Sequence, residues 1–461
     1  MERAGHNRIL KGMWVSMSKN IGIEELSGIL QQSGIVGAGG AGFPTYAKLD
    51  ERAETIILNC AECEPLLKLH RQLLEKHARE IVETFHMIGQ TVGAKDIVIG
   101  IKKAYKKTIE ALNDCIGDYP GIRLGLLDEV YPAGDEVVLI YEVTGKVVRP
   151  GGLPIEIGVA VFNVETVYNV YRAVKAQTPV VDKLVSVVAE VESPVTVRVP
   201  IGTPMEEVVL MAGGVTTRNP VYFIGGPMMG YIGAASQPVT KTTNAILVLP
   251  EDHLIIQKKN AKASIDLKRA AASCCQCTMC TDLCPRDLLG HPVDPHKFMM
   301  AATCKDMQKP DIFLDTMFCS SCGLCEMYSC MQSLSPRSLM AEYKQGLRAH
   351  GLKPPQGVVP KPVGPEREYR KVPMERLMAR LDLTQYDREA PLQDDTKDVR
   401  KVRIMLSQHI GAPAEAVVKP GDRVQAGQMI AQPGKGLSVG IHASISGKVA
   451  EVSEKFIVIE R

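Results

Sequence analysis

Apolar residues along this chain follow two periods that alternate in blocks. Helical spacing predicts an amphipathic helix over residues 21–32, and a glycine-rich loop comes next at 37–44. Residues 55–59 (TIILN) form a β-branched apolar run, the pattern of a buried strand. Helical spacing returns over 66–92, then a strand at 96–101 (DIVIGI), a helix at 103–115 and a strand at 122–127. Such alternation predicts an α/β layer around a parallel sheet. From about residue 184 the pattern becomes strand-rich, as in a small β-grasp-like module. Residues 256–345 read as helices joined by tight cysteine loops. Five prolines within 350–365 predict an extended linker. A short charged amphipathic helix is expected over 372–382. From residue 401 short strands punctuated by Gly-Asp, Ala-Gly and Ser-Gly turns predict a small β-barrel.

With 461 residues the chain is long enough for several domains, and its charge is nearly balanced. No basic excess points to nucleic acid. No apolar run reaches the roughly 18 residues needed to span a bilayer. The N-terminus lacks the apolar core of a signal peptide, so a cytoplasmic location is expected. There the thirteen cysteines are available for metal rather than disulfides.

Eight of the cysteines fall in two runs. Cys274, Cys277, Cys280 and Cys284, followed by Pro285, read C-x2-C-x2-C-x3-C-P. Three thiolates at this spacing ride one loop around an iron–sulfur cube, and the fourth crosses to a neighbouring cube. The second run is Cys319, Cys322, Cys325 and Cys330, with four residues before Cys330 and Met331 where proline is usual. The crossover rule assigns Cys274, Cys277, Cys280 and Cys330 to one [4Fe-4S] cluster and Cys319, Cys322, Cys325 and Cys284 to the other. Structural zinc is the alternative, but zinc sites pair two knuckles and have no use for triplets. Cys275 and Cys304 are off-register and read as spare or packing thiols. Cys60 and Cys63 form C-x2-C, read as an incidental and a packing cysteine.

The glycine loop contains G-x-G-x-x-G with Glu62 about twenty residues on, as in a Rossmann fingerprint. A helix precedes it rather than a strand, and Phe43-Pro44 interrupts the start of any helix after it, which argues against that fold. Absent side chains still let backbone N–H groups close on a phosphate.

The segments GAGGAGFPTYAK (37–48), LNCAECEPLL (58–67), YPAGDEVVLIYEVTG (131–145), FNVETVYNV (162–170), GGPMMG (225–230), CTDLCPRDLLGHPVDPHK (280–297) and QHIGAPAEAVVKPGDRVQAGQ (408–428) carry a resemblance to a known family. The chain resembles the propanediol-utilisation cobalamin reductases and the RnfC protein of the Rnf electron-transport complex, relatives of the complex I flavoprotein. The RnfC protein bears its small barrel at the N-terminus. Here the barrel is C-terminal, as in the cobalamin reductases. Ala61 stands where the complex I flavoprotein usually has an aspartate.

The resemblance implies a multidomain α/β protein. Its expected units are an N-terminal extension (1–19), an FMN/NADH-binding α/β domain like the complex I flavoprotein (20–185) and an SLBB-like β-grasp module (186–255). A ferredoxin-like helical domain with two [4Fe-4S] clusters (256–345), a proline-rich linker with a short helix (346–400) and a barrel-sandwich hybrid (401–461) complete it. Gly37, Gly39, Gly40, Ala41 and Lys48 are implied to line the FMN phosphate and ribityl chain, with Asn163 and Thr166 at the phosphate end. Asn59 and Glu62 are implied at the isoalloxazine or ribityl groups, and Asp135 and Glu136 near flavin and nicotinamide. Phe43 and Glu64 are implied NADH contacts. Glu62 and Glu136 are the candidate catalytic residues. His291 and His296 are read as surface histidines, with corrinoid contact the alternative.

The implied function is that of an iron–sulfur flavoprotein oxidoreductase carrying electrons from NADH through FMN and two clusters to an acceptor, a corrinoid first. An NADH-entry protein docked on a membrane or other redox complex is the rival reading. Candidate partners are a redox-protein acceptor, an adenosyltransferase, a bacterial microcompartment shell and a second copy of the chain. The barrel resembles a biotin or lipoyl carrier, but Lys435 lies two places before the hairpin tip at Leu437, so packing is expected there rather than a carrier lysine.

Overall fold

A computed structural model describes residues 21–461. The expected extension over 1–19 lies outside the described residues.

The first layer is a parallel four-stranded sheet in the order Ile122–Leu127, Asp96–Lys102, Thr55–Cys60, Val159–Asn163. Both faces are covered, so its strands are largely apolar rather than alternating with polar residues. Ile56, Leu58, Ile97, Ile99 and Ile101 pack into one core with helices Ala78–Val92 and Val164–Lys175. Ile57, Val98 and Val161 face the opposite way, against Leu139 and Ile140 of helix Glu136–Thr144. The chain runs outward from Thr55–Cys60 to its neighbours on one side, then returns to place Val159–Asn163 on the other. Carboxyl ends at such a reversal leave a crevice, where α/β sheets take their ligands.

The helical stretch expected over 66–92 is two helices, Leu69–Lys76 and Ala78–Val92, broken at His77. The His77 ring bonds Asp394 at 2.7 Å, a partner far away in sequence.

A second, mixed sheet has the order Leu392–Thr396, Val195–Pro200, Asp182–Ala189, Ala245–Pro250, Pro220–Ile224, Tyr231–Gly233. It departs from the expected units in two places. Strand Asp182–Ala189 runs across the boundary set at 185/186. Leu392–Thr396, assigned to a linker, is an edge strand beside Val195–Pro200. Arg198 anchors it through the Asp394 carboxylate and also pairs with Asp182, which Arg172 holds from the first domain. Val372–Pro373, expected at the start of a helix, instead pairs with Val130–Tyr131, and the helix begins at Met374.

Helices Ala263–Ser273, Pro295–Cys304 and Pro336–Ala349 form the cysteine-bearing unit around Phe298, Phe313 and Tyr343. The C-terminal unit packs a four-stranded sheet beside a three-stranded one. Its hairpin tip is docked: Gln31 donates its side-chain N–H to the Ser438 carbonyl, and Gly440 N–H donates to the Gln31 carbonyl. The buried Lys241 ammonium reaches Gly34 O (2.6 Å) and Gly440 O (3.0 Å), joining three units at one point. Lys435 is exposed beside this tip rather than at it.

Candidate functional site

A cavity of about 450 Å³ opens at the carboxyl ends of Thr55–Cys60 and Val159–Asn163. Gly37, Gly39, Gly40, Ala41, Phe43 and Lys48 line it from the glycine loop, Asn59, Glu62 and Glu64 from the first strand and the loop after it, and Glu136, Asn163 and Thr166 from the other side. Helix Val164–Lys175 begins here. Asn163 caps it, its side-chain Oδ1 accepting from Glu165 N (2.9 Å) and Thr166 N (3.3 Å). Thr166 Oγ1 accepts from Ala38 N at 2.9 Å and so ties the glycine loop to the helix start. This joins a helix N-terminus to a loop in which Gly40 has φ +82°, the arrangement that favours a phosphate. The loop does not make a strand-then-helix Rossmann turn: it runs from helix Ile23–Gln32 into the turn Thr45–Lys48.

Lys48 donates to Glu136 Oε1 (3.3 Å) and to the Val161 carbonyl (2.9 Å), and its ammonium lies 5.9 Å from the Phe43 ring centre. Asn59 shapes the floor, donating to Gly134 O and accepting from Ala61 N. Glu62 Oε1 accepts from His70 N at 3.1 Å. Burial lowers the His70 pKa, so the ring is a neutral bonding partner for Asn163 Nδ2 at 3.3 Å.

Two expected contacts have other partners in the structure. Asp135 does not line the cavity. It caps helix Glu136–Thr144 and pairs with Arg286 Nη2 at 2.9 Å, because the turn before the helix aims it at the cysteine unit. Glu64 borders the cavity, but both its oxygens are taken by the N–H groups of Met228 (2.9 Å) and Met229 (3.0 Å). Gly226 makes room for it: a Cβ there would lie 2.3 Å from Glu64 Cγ. Burial pushes the Glu64 carboxyl up to about 7. Thr45, Cys63, His70 and Asn244 also line the cavity, though sequence reasoning gave none of them a ligand contact. Asn244 comes from the loop before a strand of the second sheet, and no local signal places it here. Burial raises the Cys63 thiol to about 12 and Cys60 higher still, which disfavours the reactive thiolate at both.

Among the described residues, three buried polar atoms in this lining have no partner: Thr45 Oγ1, Glu62 Oε2 and Asn244 Oδ1. Orphaned buried acceptors are costly unless a ligand supplies donors. The hydroxyls and ring N–H of a flavin, with its phosphate at the glycine loop, fit this donor demand.

The eight clustered cysteines form two nests. Cys274, Cys277, Cys280 and Cys330 surround one cavity, and Cys284, Cys319, Cys322 and Cys325 the other. Among the described residues no three potential ligands draw together as a single metal ion requires. The cysteines ring a space instead, as a cube needs and a zinc ion does not. The two loops repeat one device. Gln276 and Thr278 flank Cys277 at φ +58° and +63°, and Ser321 and Gly323 flank Cys322 at +60° and +82°. Left-handed residues on both sides of the middle cysteine curl the backbone around the nest. The irregular spacing before Cys330 is absorbed by a π-helical turn, Cys325–Ser329, which takes up the extra residue and delivers Cys330 to the first nest. Burial, with neighbouring cysteine charge, pushes Cys280 and Cys322 up to about 12, so their thiolate form needs positive charge from iron.

The nests differ in surroundings. Cys277 is exposed, whereas Cys284, Cys322 and Cys325 are buried. The buried nest adjoins the glycine-rich cavity through residues 131–136: Tyr131 OH donates to Cys322 O (2.7 Å), while Gly134 and Glu136 line the cavity. His296 borders the exposed nest. His291 is neither at the surface nor free for a corrinoid. It is buried, its Nε2 bonds the Val148 carbonyl at 2.8 Å, and burial lowers its pKa to about 4.

Comparison with known proteins agrees with this anatomy. Residues 30–172 match the Nuo51 FMN-binding domain, 184–232 the SLBB domain, 273–335 the 4Fe-4S dicluster domain and 386–460 the RnfC barrel sandwich hybrid domain. An NAD+-reducing [NiFe]-hydrogenase in the air-oxidized state shares the fold at TM-score 0.50 and 19% identity, over 82% of this chain and 71% of that one. The C component of the ion-translocating oxidoreductase complex of Edwardsiella ictaluri is 35% identical over 56% of this chain and 32% of its own length. Cobalamin reductase PduS of Salmonella typhimurium is 41% identical over 97% of this chain and 98% of its own. With FMN and two [4Fe-4S] clusters as its cofactors, the chain is an iron–sulfur flavoprotein oxidoreductase and belongs to the PduS cobalamin reductase family.

Proposed function

We propose that the chain takes electrons from NADH at the glycine-rich cavity and delivers them to a corrinoid at the solvent-facing nest, with the buried nest lying between. The observation that supports this reading most is the wall of residues 131–136, shared by the flavin cavity and the buried nest. Bound FMN supplies the conversion between a two-electron donor and one-electron acceptors.

The chain's own residues hold and orient. Gly37, Gly39, Gly40 and Ala41, with Asn163, Thr166 and the helix start, receive the phosphate end. Lys48, fixed by Glu136 and the Val161 carbonyl, brings positive charge to the ribityl side. Glu62 presents its unpartnered Oε2 to ring or ribityl donors. Half-buried Phe43 offers a stacking face for nicotinamide, and Glu136 borders the same space. Asn59 and Glu64 set the floor and the far wall. Two thiolate sets, Cys274/Cys277/Cys280/Cys330 and Cys284/Cys319/Cys322/Cys325, hold the iron.

The relatives' names favour a corrinoid acceptor. On this reading the chain works in the cytoplasm, within a microcompartment, with an adenosyltransferase, a shell protein or a second copy as neighbours. The partial match to the ion-translocating complex favours a protein acceptor instead. No helix among the described residues is long and apolar enough to cross a membrane. The test is anaerobic mixing of the purified holoprotein and NADH with aquacobalamin or with ferredoxin. Faster corrinoid reduction supports the reading; corrinoid reduction much slower than ferredoxin reduction overturns it in favour of a relay role.

A further inference from the structure

The buried nest has two guanidinium groups in its wall that its thiols do not explain. Arg286 and Arg337 both line the cavity of Cys284, Cys319, Cys322 and Cys325. Arg286 Nη1 and Arg337 Nε are buried and have no partner among the described residues. The Arg286 side chain is only 11% exposed, and its Nη2 is already used by Asp135. A buried guanidinium N–H left empty is among the costlier orphans in a protein. Its natural partner here is a sulfur of an anionic cluster.

Other charges meet at this nest. Lys344 donates to the Cys319 carbonyl at 2.9 Å. Glu326, next to Cys325, accepts locally from the N–H and hydroxyl of Ser338 (2.8 and 3.0 Å). Among the described residues, Asp135 is the one carboxylate paired directly with a lining arginine. The exposed nest has no arginine among the described residues of its wall; Gln276, which donates to Cys274 Sγ at 3.6 Å, and His296 stand there instead. Hydrogen bonds to cluster sulfurs and nearby positive charge raise a reduction potential, because they favour the more negative reduced form.

We propose that Arg286 and Arg337 are positioning residues that donate to the cluster of the buried nest and raise its reduction potential, making it the electron sink beside the flavin, with Asp135 as the counterweight on Arg286. This rests on the two-cluster reading above. The functional consequence is directional: electrons leave the flavin for the buried nest rather than returning to NAD+.

The test is a redox titration of the holoprotein followed by electron paramagnetic resonance, with iron and sulfide content measured in parallel. Arg337→Gln is expected to lower one midpoint by a tenfold change in reduction equilibrium, about 59 mV for one electron. The other midpoint stays put. Arg337→Lys keeps the charge without the fixed Nε donor and is expected to fall less. Asp135→Asn retains a good helix cap and is expected to shift the same midpoint upward. That opposite sign separates tuning from structural damage. If Arg337→Gln fails to assemble the cluster, Arg337→Lys and Asp135→Asn carry the test. Unmoved midpoints, or both clusters shifting alike, overturn the proposal. A wild-type preparation without two cluster signals overturns the two-cluster reading itself.

Discussion

Replacing Gly226 by alanine tests how the flavin cavity is joined to the rest of the protein. The added Cβ would sit 2.3 Å from Glu64 Cγ and 2.4 Å from its Cβ, close to the backbone where a side chain cannot swing away. Glu64 must leave, and the N–H groups of Met228 and Met229 lose their acceptor. Overpacking costs about 1–3 kcal/mol. The orphaned Met228 N–H adds about 1–3 kcal/mol, whereas Met229 is exposed and regains water. A total of about 4 kcal/mol lowers the flavin-release temperature by roughly 8–16 °C, at about 2–4 °C per kcal/mol for a domain of this size. The readout is flavin fluorescence during an anaerobic thermal ramp. Glu64→Gly removes every colliding atom, Cβ included, so adding Gly226→Ala to it should cost less than about 1 kcal/mol. An equal loss in both backgrounds would refute the reasoning, because the damage would then come from something other than this contact.

The same geometry carries further expectations. Cys277→Ala should remove the exposed cluster's signal and leave the buried one reducible by NADH, whereas Cys322→Ala should leave neither reducible by NADH; anaerobic spectroscopy with NADH and dithionite in turn distinguishes them. Asn163→Ala removes a helix cap worth about 0.5–2 kcal/mol and should weaken FMN binding by about tenfold, read by equilibrium dialysis. Glu64 has a folded pKa raised to about 7 from 4.5. Its favourable contribution is therefore complete below about pH 4.5 and lost as pH rises through 7. Glu64→Gln should flatten the fall in thermal stability between about pH 5 and pH 8; an unchanged slope would show that other groups produce it.

Much of the architecture was legible because its signals are local. The TIILN and DIVIGI runs are almost wholly apolar, and the sheet they form is covered on both faces. The division of the eight cysteines between two nests follows the crossover spacing, since one loop brings only three of them to each nest. Tertiary partners hid the rest. The break at His77 interrupts no apolar period; only Asp394 explains it. Leu392–Thr396 (LQDDT) has neither alternation nor β-branched character beyond Thr396, so it reads as linker until Arg198 and Val195–Pro200 claim it. Asp135 and Glu64 look like ligand carboxylates in a one-dimensional string. Their partners, Arg286 and the Met228–Met229 amides, lie 151 to 165 residues away. Nothing near Asn244 announces that it lies beside Gly39.

The grip of the barrel on Gln31 bears on how such genes can be rearranged. Its seat lies against helix Ile23–Gln32, so covalent order does not fix its position. Moved ahead of residue 21 on a connector of sufficient reach, the same barrel would find the same berth. Chains that carry this module at opposite ends can thus share one three-dimensional plan, and a circular permutant joining residue 461 to residue 21, cut near residue 398, should still assemble a working relay.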